Sequence, residues 1–277
     1  VYQRYTDQVE PYGMDECFLD VTASQVLYGS GKEIADQIRC RMKNELGLTV
    51  SIGISFNKIF AKLGSDMKKP DAITSIEESE WKQKVWPLRV SELLFCGRST
   101  TKKLEQVGIY TIGDLAEMDH DYVNQLLGKN GLMLWSYANG LDDSPVMEKD
   151  FVSPMKSVGH GITCTADLKT EEEVWKVILE LCQDIGHRLR IHGLKAQGVQ
   201  IAIRSQELFT RQYQGQLSLP TIGPLEIAKL ARELFQRNYD WKEPVRSVTV
   251  RAINLVSAKE PEQICLFSDP IRLEKEE

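Results

Sequence analysis

Two adjacent acidic residues stand near the start of the sequence, in the stretch YGMDECFLDVT of residues 12–22. Asp15 and Glu16 lie among apolar residues, where unpaired carboxylates are costly. Two carboxylates held together could bind Mg²⁺, which takes few protein ligands and completes its shell with water and phosphate oxygens. The chemistry would be phosphoryl transfer, in which two metal ions about 4 Å apart bind the attacking and the leaving oxygen.

A structural alternative to the metal site is also open. Residues 11–22 are predicted to form a strand, and adjacent side chains of a strand point to opposite faces. Asp15 and Glu16 can therefore share one site only where the strand ends or distorts, which Gly13 permits. The alternative is a strand end with one exposed acid and one acid in a salt bridge, and the spacing alone does not exclude it.

The elements that must position these acids form a strand–helix–strand–helix layer. Apolar residues recur at helical spacing over 32–46, alternate over 48–54 and recur again over 57–67, where Pro70 follows as a stop signal. Such a layer needs more strands than these, and the sequence begins at Val1 rather than at a methionine. We therefore expect a fragment of a longer protein.

The remainder of the chain is predicted to contain a helical segment and then a sheet. Residues 80–150 read as short helices, and residues 155–257 read as β-α-β-β-α-β, a four-stranded sheet with two helices on one face. The fold class is therefore α+β. The other face of the sheet should be polar, basic and uncovered. Its candidate residues are Arg204, Arg211, Gln212, Gln214, Gln216, Arg246 and Arg251.

Composition and charge narrow the possible functions. The 277 residues are 42% hydrophobic and 27% charged with a net charge of −6, which is ordinary for a globular protein. Residues 151–257 carry about +3 between acidic flanks, which hints at nucleic acid. No apolar run reaches the ~18 residues of a membrane span, and no leader peptide is evident. The six cysteines lack C-x-x-C spacing, so we expect free thiols rather than zinc or disulfides.

Two motifs resemble those of Y-family DNA polymerases. The acidic stretch is similar to the family's S-[IM]-D-E-[AC]-[FY]-L-D-[VL]-T strand, and SIGISFNKIFAKLGSDMKKP of residues 51–70 is similar to G-[IV]-[SA]-x-N-K-x-x-A-K-x-A-S-D-x-x-K-P. The resemblance covers nearly the whole chain and is strongest to the bacterial polymerase IV and ImpB/MucB/SamB branches. It implies a translesion DNA polymerase of DNA repair: a monomer in the bacterial cytoplasm, at the nucleoid, that joins dNTPs to primer–template DNA with two Mg²⁺ ions.

The resemblance also assigns roles to single residues. Asp15 matches the shared metal ligand, Glu16 the second acid near the primer 3′ end, and Lys69 the lysine that reaches the triphosphate. Lys62 and Asp66 lie in the same motif, and we expect them to serve helix packing and salt bridges. The family's first metal aspartate and its finger segment lie upstream of this pattern, so we expect the chain alone to be inactive.

The same resemblance divides the chain into domains: the C-terminal part of the palm (1–80), the thumb (81–150), the little finger (151–257) and a tail (258–277). In the thumb, residues 94–115 resemble a helix-hairpin-helix, whose glycine turn points backbone N–H groups at a phosphate. Phe95 replaces the first glycine of that turn, so a purely structural hairpin stays open. The candidate DNA contacts there are Gly97, Arg98, Thr100 and Lys102.

The little finger and the tail supply the last candidates. Arg204, Arg211, Arg246 and Arg251 are candidate DNA contacts of the sheet, although each alone could be an exposed salt bridge. The tail sequence QICLF resembles the bacterial sliding-clamp motif Q-[LI]-x-L-F, in which an extended peptide inserts apolar side chains into a pocket. Its candidate residues are Gln263, Leu266 and Phe267. The alternative to a polymerase is a non-catalytic module that binds DNA and the clamp.

Overall fold

The chain divides into two units, Val1–Val152 and Ser153–Glu277. The computed structural model describes residues 1–260. Helices and sheets both contribute to the described part, so the predicted α+β class is confirmed. Within residues 1–260, every helix is too short or too polar to cross a membrane.

The first unit begins with an antiparallel hairpin of β1 (Val9–Tyr12) and β2 (Glu16–Leu19). Residues 13–15 form the connecting turn, and Gly13 has φ +75°, a left-handed conformation that costs glycine little. The prediction of one strand over 11–22 is therefore wrong, because the chain reverses at Gly13.

Helices and a parallel strand pair follow the hairpin. They are α1 (Gln25–Tyr28), α2 (Gly31–Leu46), β3 (Ile52–Ser55), α3 (Lys58–Met67) and β4 (Ile73–Ile76). β3 and β4 are parallel, and α3 is the crossover between them. The two predicted helices are confirmed. The predicted strand over 48–54 starts later, since Leu48 is 56% exposed in the connection before it.

β3 and α3 approach each other unusually closely, because Gly53 has no side chain. A Cβ at Gly53 would lie 1.8 Å from the carbonyl oxygen of Ala61 and 2.5 Å from the amide nitrogen of Ser65. Gly64 on α3 faces the same contact, with its Cβ position 3.3 Å from the Gly53 Cα. The backbone of the strand thus fixes the position of the helix and of the side chains that the helix presents.

The rest of the first unit is helical, as predicted. Its helices are α4 (Trp81–Val85), α5 (Arg98–Gln106), α6 (Ile112–Glu117), α7 (His120–Leu127) and α8 (Lys129–Ala138). They pack with α3 around one apolar core, in which Phe60, Leu104 and Leu115 are fully buried. The core therefore ties α3 to the helices that carry the predicted helix-hairpin-helix.

The described part of the second unit is a four-stranded antiparallel sheet that two helices cover on one face. Its elements are β5 (Ser157–Leu168), α9 (Glu171–His192), β6 (Leu194–Ser205), β7 (Thr210–Thr221), α10 (Pro224–Asn238) and β8 (Val245–Ser257). The strand order is β5-β8-β6-β7. Alternate strand residues such as Ile201 and Val250 are buried with α9 and α10 in the core, which leaves the opposite face open. The β-α-β-β-α-β prediction is confirmed.

Candidate catalytic site and nucleic-acid interface

The two adjacent acids occupy different environments at the β1–β2 hairpin. Asp15 is the last turn residue and is exposed, whereas Glu16 begins β2 and its side chain is 36% exposed. Glu16 Oε1 lies 3.1 Å from Lys62 Nζ on α3. The hairpin thus presents one exposed acid and one acid in a salt bridge, which is the alternative that the sequence left open. Both carboxylates nevertheless stand at the same end of the hairpin.

Lys62 connects Glu16 to a series of alternating charges on and after α3. Its Nζ lies 2.6 Å from Asp66 Oδ2, and Asp66 Oδ1 in turn lies 2.8 Å from Lys69 Nζ. The i,i+4 spacing places Lys62 and Asp66 on one face of the helix. The expected salt bridges of these two residues are confirmed. We call Glu16–Lys62–Asp66–Lys69 the acid–lysine chain. It connects Glu16, predicted to be catalytic, to Lys69, predicted to bind the nucleotide.

Lys62 and Asp66, the two central members of the acid–lysine chain, are charged at neutral pH. Burial alone would lower the pKa of Lys62, but its hydrogen bonds to Asp66 and Glu16 outweigh burial and raise that pKa above its ordinary value. Burial alone would raise the pKa of Asp66, but its hydrogen bonds from Lys62 and Lys69 lower it. The ion pairs therefore persist across the physiological pH range.

Replacing Lys62 by methionine should destabilise the first unit by about 1 kcal/mol at neutral pH, since two charge-assisted hydrogen bonds are lost. The pKa of Asp66 is lowered on folding, so its ion pairs contribute stability above the ordinary aspartate pKa of about 4 and lose it as the pH falls through the lowered value. The difference between wild type and Lys62→Met in urea unfolding should therefore shrink at acid pH. Lys32→Met, at an exposed site on α2, is the control, and a pH-independent difference for Lys62→Met would refute this assignment.

The loop that carries Lys69 is anchored by a residue that the sequence did not single out. Asp71 Oδ1 lies 3.2 Å from Arg39 Nη1, and Asp71 Oδ2 lies 3.0 Å from Lys43 Nζ. Hydrogen bonds from Lys43 and Arg39 lower the pKa of Asp71. Both cations are on α2, so α2 holds the chain two residues after Lys69. Nothing in the spacing of these charges along the sequence identifies them as partners.

The donor set at the hairpin suits a hard divalent cation. Asp15 and Glu16 offer carboxylate oxygens, which Mg²⁺ prefers. Asp20 is not part of this set, since its Oδ1 accepts a hydrogen bond from the Thr22 amide at 2.9 Å. Within residues 1–260, no group of three or more His, Cys, Asp or Glu side chains could hold a metal ion. A cation bound here would be held by Asp15 and Glu16, with water and phosphate oxygens to complete its shell.

The turn before α5 keeps a glycine-like path although Phe95 occupies it. Phe95 has φ +67°, in the left-handed region that glycine normally takes, and its side chain is 56% exposed. The Cys96 amide donates to the Leu93 carbonyl at 3.0 Å and the Gly97 amide donates to the Phe95 carbonyl at 3.1 Å. Such a backbone costs an L-residue about 1 kcal/mol. The substitution therefore changes the side chain and leaves the turn in place.

The start of α5 is arranged as a helix-hairpin-helix requires. Gly97 is the N-cap and provides no side chain to cap the first amides. Arg98 and Lys102 are exposed and lie one helical turn apart, whereas Thr100 is half-buried. Free amides and basic side chains at a helix start suit a phosphate. The structure thus brings the four sequence-predicted contacts of this turn together at one helix end.

Phe95→Gly should be more stable than Phe95→Ala by about 1 kcal/mol, because alanine would retain the strain of a positive φ. Thermal unfolding of the two variants measures this difference. Position 99, in the first turn of α5, serves as the control, since Ser99→Ala should be more stable than Ser99→Gly in a helix. The same order at both positions would show that residue 95 is not held in the left-handed conformation.

The open face of the second unit's sheet carries two of the four predicted arginines. Arg204 pairs with Thr210 and Ser247, and Arg251 pairs with Gln200. Partners in an antiparallel register share a face, so these side chains line one groove of about 250 Å³. The groove is formed by Gln200, Ala202, Arg204, Thr210, Gln212, Ser247, Thr249 and Arg251. The predicted polar and basic open face is confirmed.

Glycines on the edge strand β5 make room for this groove's side chains. A Cβ at Gly159 would lie 3.2 Å from Arg251 Cγ, and a Cβ at Gly161 would lie 2.2 Å from Thr249 Oγ1. Arg251 and Thr249 can therefore lie across β5 instead of being pushed away from the sheet.

The other two predicted arginines, Arg211 and Arg246, do not line this groove. Arg211 pairs with Ile203, which is buried in the helix-covered core. The Arg211 Nη1 atom lies 4.0 Å from Asp240 Oδ2. Its assignment to the open face is therefore wrong, because side chains alternate along β7 with a period of two. Arg246 is exposed at an irregularity of register between β6 and β8, where that alternation is interrupted.

The predicted clamp-binding residues and the cysteines lie apart from these two sites. Gln263, Leu266 and Phe267 lie outside the described residues. Five cysteines in the described part are free, as expected. Burial raises the pKa of the Cys17 thiol, next to Glu16, to about 11, so this thiol is not a reactive group at neutral pH.

Comparison with known proteins identifies relatives of both units. Residues 1–66 match the impB/mucB/samB family, and residues 155–266 match the impB/mucB/samB family C-terminal domain. A protein named DNA polymerase IV from Acetivibrio thermocellus is 48% identical over 275 residues, which cover 99% of this chain and 69% of that protein. A protein of the same name from Clostridium acetobutylicum is 34% identical over 267 residues, which cover 96% and 66%.

A solved structure shows the same fold. A Y-family DNA polymerase chimera superposes with a TM-score of 0.77 at 21% identity, over 92% of this chain and 73% of that one. The chain spans about two thirds of the length of the curated relatives that it matches.

Proposed function

We propose that this chain, which belongs to the impB/mucB/samB family of Y-family DNA polymerases, works in template-directed DNA synthesis across damaged templates. The reaction is nucleotidyl transfer from a dNTP to a primer. The observation that carries the proposal is the position of Asp15 and Glu16 at the hairpin end, where Glu16 is joined through the acid–lysine chain to Lys69. The salt bridges support the proposal because they connect Glu16, beside Asp15, to the lysine that would bind the nucleotide.

Two acids at the hairpin end would bind the metal ions, and Lys69 would bind the nucleotide. Asp15 and Glu16 would hold Mg²⁺ ions, which when bound neutralise phosphate charge and orient the attacking and leaving oxygens. Lys69 has a side chain that is 56% exposed, so its ammonium can exchange Asp66 for a triphosphate. Lys62 holds Glu16 against α3 and limits its rotation. Most of the rate would come from positioning and from fixed charge, since no side chain need act as acid or base.

DNA would be held through its phosphates by both units. In the first unit, α5 offers free amides with Arg98 and Lys102, and in the second unit the groove offers Arg204 and Arg251. Such contacts carry little sequence information and suit an enzyme that must act on any template. In family terms the first unit would comprise the C-terminal part of the palm (1–80) and the thumb (81–150), and residues 151–257 would be the little finger. The working location would be the bacterial nucleoid, with the protein acting as a monomer.

The experiment that tests this proposal is primer extension by the gene product that carries this chain, on intact and on abasic templates. We expect template-dependent incorporation of nucleotides on both templates.

A second candidate function is a non-catalytic module that binds DNA. It is favoured by one observation, the salt bridge between Glu16 and Lys62. That module would bind the same primer–template without incorporating nucleotides.

The tail provides a separate proposal, binding to a sliding clamp through Gln263, Leu266 and Phe267. Replacing Leu266 and Phe267 by alanine should weaken binding to a bacterial clamp at least tenfold, on the order of the loss of two anchor side chains. Surface plasmon resonance with immobilised clamp measures it. Cys265→Ala, at the variable position of the motif, is the matched control and should bind normally. Equal affinity of the double variant and wild type would reject the clamp proposal.

A further inference from the structure

A second lysine of α3 binds the β1–β2 hairpin, one helical turn before Lys62. Lys58 Nζ lies 3.1 Å from Oε1 and 2.9 Å from Oε2 of Glu10 on β1. The same atom lies 5.6 Å from the centre of the Phe18 ring on β2. The Lys58 side chain is only 15% exposed. An ammonium group that contacts both strands in a partly buried site can hold the hairpin on the helix.

The strand register puts this contact and the Glu16 contact on one face of the hairpin. Glu10 is the cross-strand partner of Phe18, and Glu16 lies two residues before Phe18 on β2. Cross-strand partners share a face, and so do alternate residues of one strand. Lys58 and Lys62 lie four residues apart on the facing side of α3. The hairpin is thus bound to α3 by two lysine–glutamate pairs, one next to the turn and one farther from it.

The Lys58–Glu10 pair is also bound by the segment that follows α8. Lys58 Nζ donates to the Pro145 carbonyl at 2.9 Å, and Glu10 Oε2 accepts a hydrogen bond from the Met147 amide at 2.9 Å. Burial alone would raise the pKa of Glu10, but the hydrogen bonds from Lys58 and Met147 outweigh burial and lower that pKa. The Glu10 carboxylate is therefore ionised at neutral pH, and the pair joins three parts of the first unit.

The two lysine–glutamate pairs differ in how far they are free to exchange partners. The Glu16 side chain is 36% exposed and has the single cationic partner Lys62 within residues 1–260. The Glu10 side chain is 24% exposed, and both Lys58 and the Met147 amide donate to it. Glu10 is therefore committed to protein donors. It can keep the hairpin in place while Glu16 changes partners.

We propose that Lys58 and Glu10 are positioning residues that hold the hairpin turn, and with it Asp15 and Glu16, at a fixed distance from α3 during the reaction. This rests on the proposed function, which assigns the reaction to those two acids. When Glu16 turns from Lys62 toward a cation, the Lys58–Glu10 pair keeps β1 and β2 on the helix. Rates depend steeply on such positioning, since a displacement of about 1 Å can cost up to about 100-fold.

The test is primer extension by the gene product that carries this chain, with kcat and the KM for dNTP measured separately. Lys58→Met keeps the apolar stem and removes the ammonium group. It should lower kcat about tenfold while KM stays within about twofold, because Lys69 is unchanged. Glu10→Gln removes the charge from the other partner and should give the same loss. Lys58→Arg, which can bind both oxygens of Glu10, should recover kcat to within about threefold of wild type.

Lys84→Met is the matched control. Lys84 on α4 also donates to a backbone carbonyl, that of Ser75 at 2.9 Å, and also pairs with a glutamate, Glu80. Its loss should leave kcat within about twofold of wild type, because these partners lie on β4 and before α4 rather than on the hairpin. A second measurement does not depend on activity. In the metal-free chain, the backbone amide NMR signals of residues 13–16 should shift in Lys58→Met and stay in place in Lys84→Met.

Each outcome decides the proposal. If wild type extends the primer and Lys58→Met keeps its kcat, the positioning role is wrong and the proposed function stands. Equal loss of kcat in Lys84→Met would also overturn it, since the loss would then follow stability. A loss of kcat in Lys58→Met without a shift of the hairpin signals would place Lys58 at the substrate and overturn it as well. A wild-type gene product that does not extend the primer would overturn both proposals.

Discussion

Replacing Asp15 by alanine should lower primer extension by the gene product that carries this chain at least about 100-fold, the scale of losing one preorganised charge at a reacting phosphate. The physical reason is that Asp15 is the exposed acid of the hairpin end, so its carboxylate is available to a metal ion. Its side chain is outside the cores of the first unit, and folding should therefore be unaffected. Gel-based extension at saturating dNTP measures the rate.

Asp20 provides the control for this prediction. It stands in the same acidic stretch, but its carboxylate caps the Thr22 amide, so Asp20→Ala should keep extension within severalfold of wild type. DNA affinity of the Asp15→Ala variant should also be unchanged, since Asp15 makes no hydrogen bond or ion pair to either proposed DNA site within residues 1–260. Full extension activity in Asp15→Ala would remove it from the reaction and favour the non-catalytic module.

Replacing Gly53 by alanine should destabilise the first unit by about 3 kcal/mol or more, at the upper end of overpacking effects. The new Cβ would lie 1.8 Å from the Ala61 carbonyl oxygen. Because this oxygen belongs to the backbone of α3, it cannot rotate away as a side chain could. β3 and α3 must therefore move apart. Thermal or urea unfolding of the chain should show the transition of the first unit shifted down and that of the second unit unchanged.

A matched glycine variant separates this clash from a general effect of alanine. Among residues 1–260, a Cβ at Gly97 would meet no heavy atom within 4 Å. Gly97 has φ −75°, which any residue adopts. Gly97→Ala should therefore cost no more than about 1 kcal/mol, the scale of an alanine at an N-cap. If Gly53→Ala were equally neutral, the close approach of β3 and α3 would be wrong, and with it the placement of Lys62 beside Glu16.

Elements with strong local signals were predictable from the sequence. In α9, Thr170 and Glu173 form a capping box, and in α2 Ser30 and Glu33 form another. Each box fixes a helix start through contacts three residues apart, which a sequence displays directly. The hairpin turn at residues 13–15 lacks such a signal, because apolar residues on both sides imitate one continuous strand.

Sequence motifs propose the residues of the candidate site, but they do not predict its geometry. The motifs identify Asp15, Glu16 and Lys69, yet they do not reveal that Lys62 binds Glu16. That contact depends on how close α3 lies to β3, which Gly53 decides through tertiary packing. Arg211 illustrates the same limit, since its face follows from the register with Ile203 and not from its own type.

We propose that Asp15 and Glu16 together hold a divalent cation, and Mn²⁺ binding by the chain tests this proposal most directly. With primer–template and a non-hydrolysable dNTP present, Mn²⁺ should broaden the backbone NMR signals of residues 13–16 and of Lys69 in the wild-type chain. The broadening should disappear in Asp15→Ala. Broadening that persists in Asp15→Ala, or that never reaches the β1–β2 turn, would contradict the account.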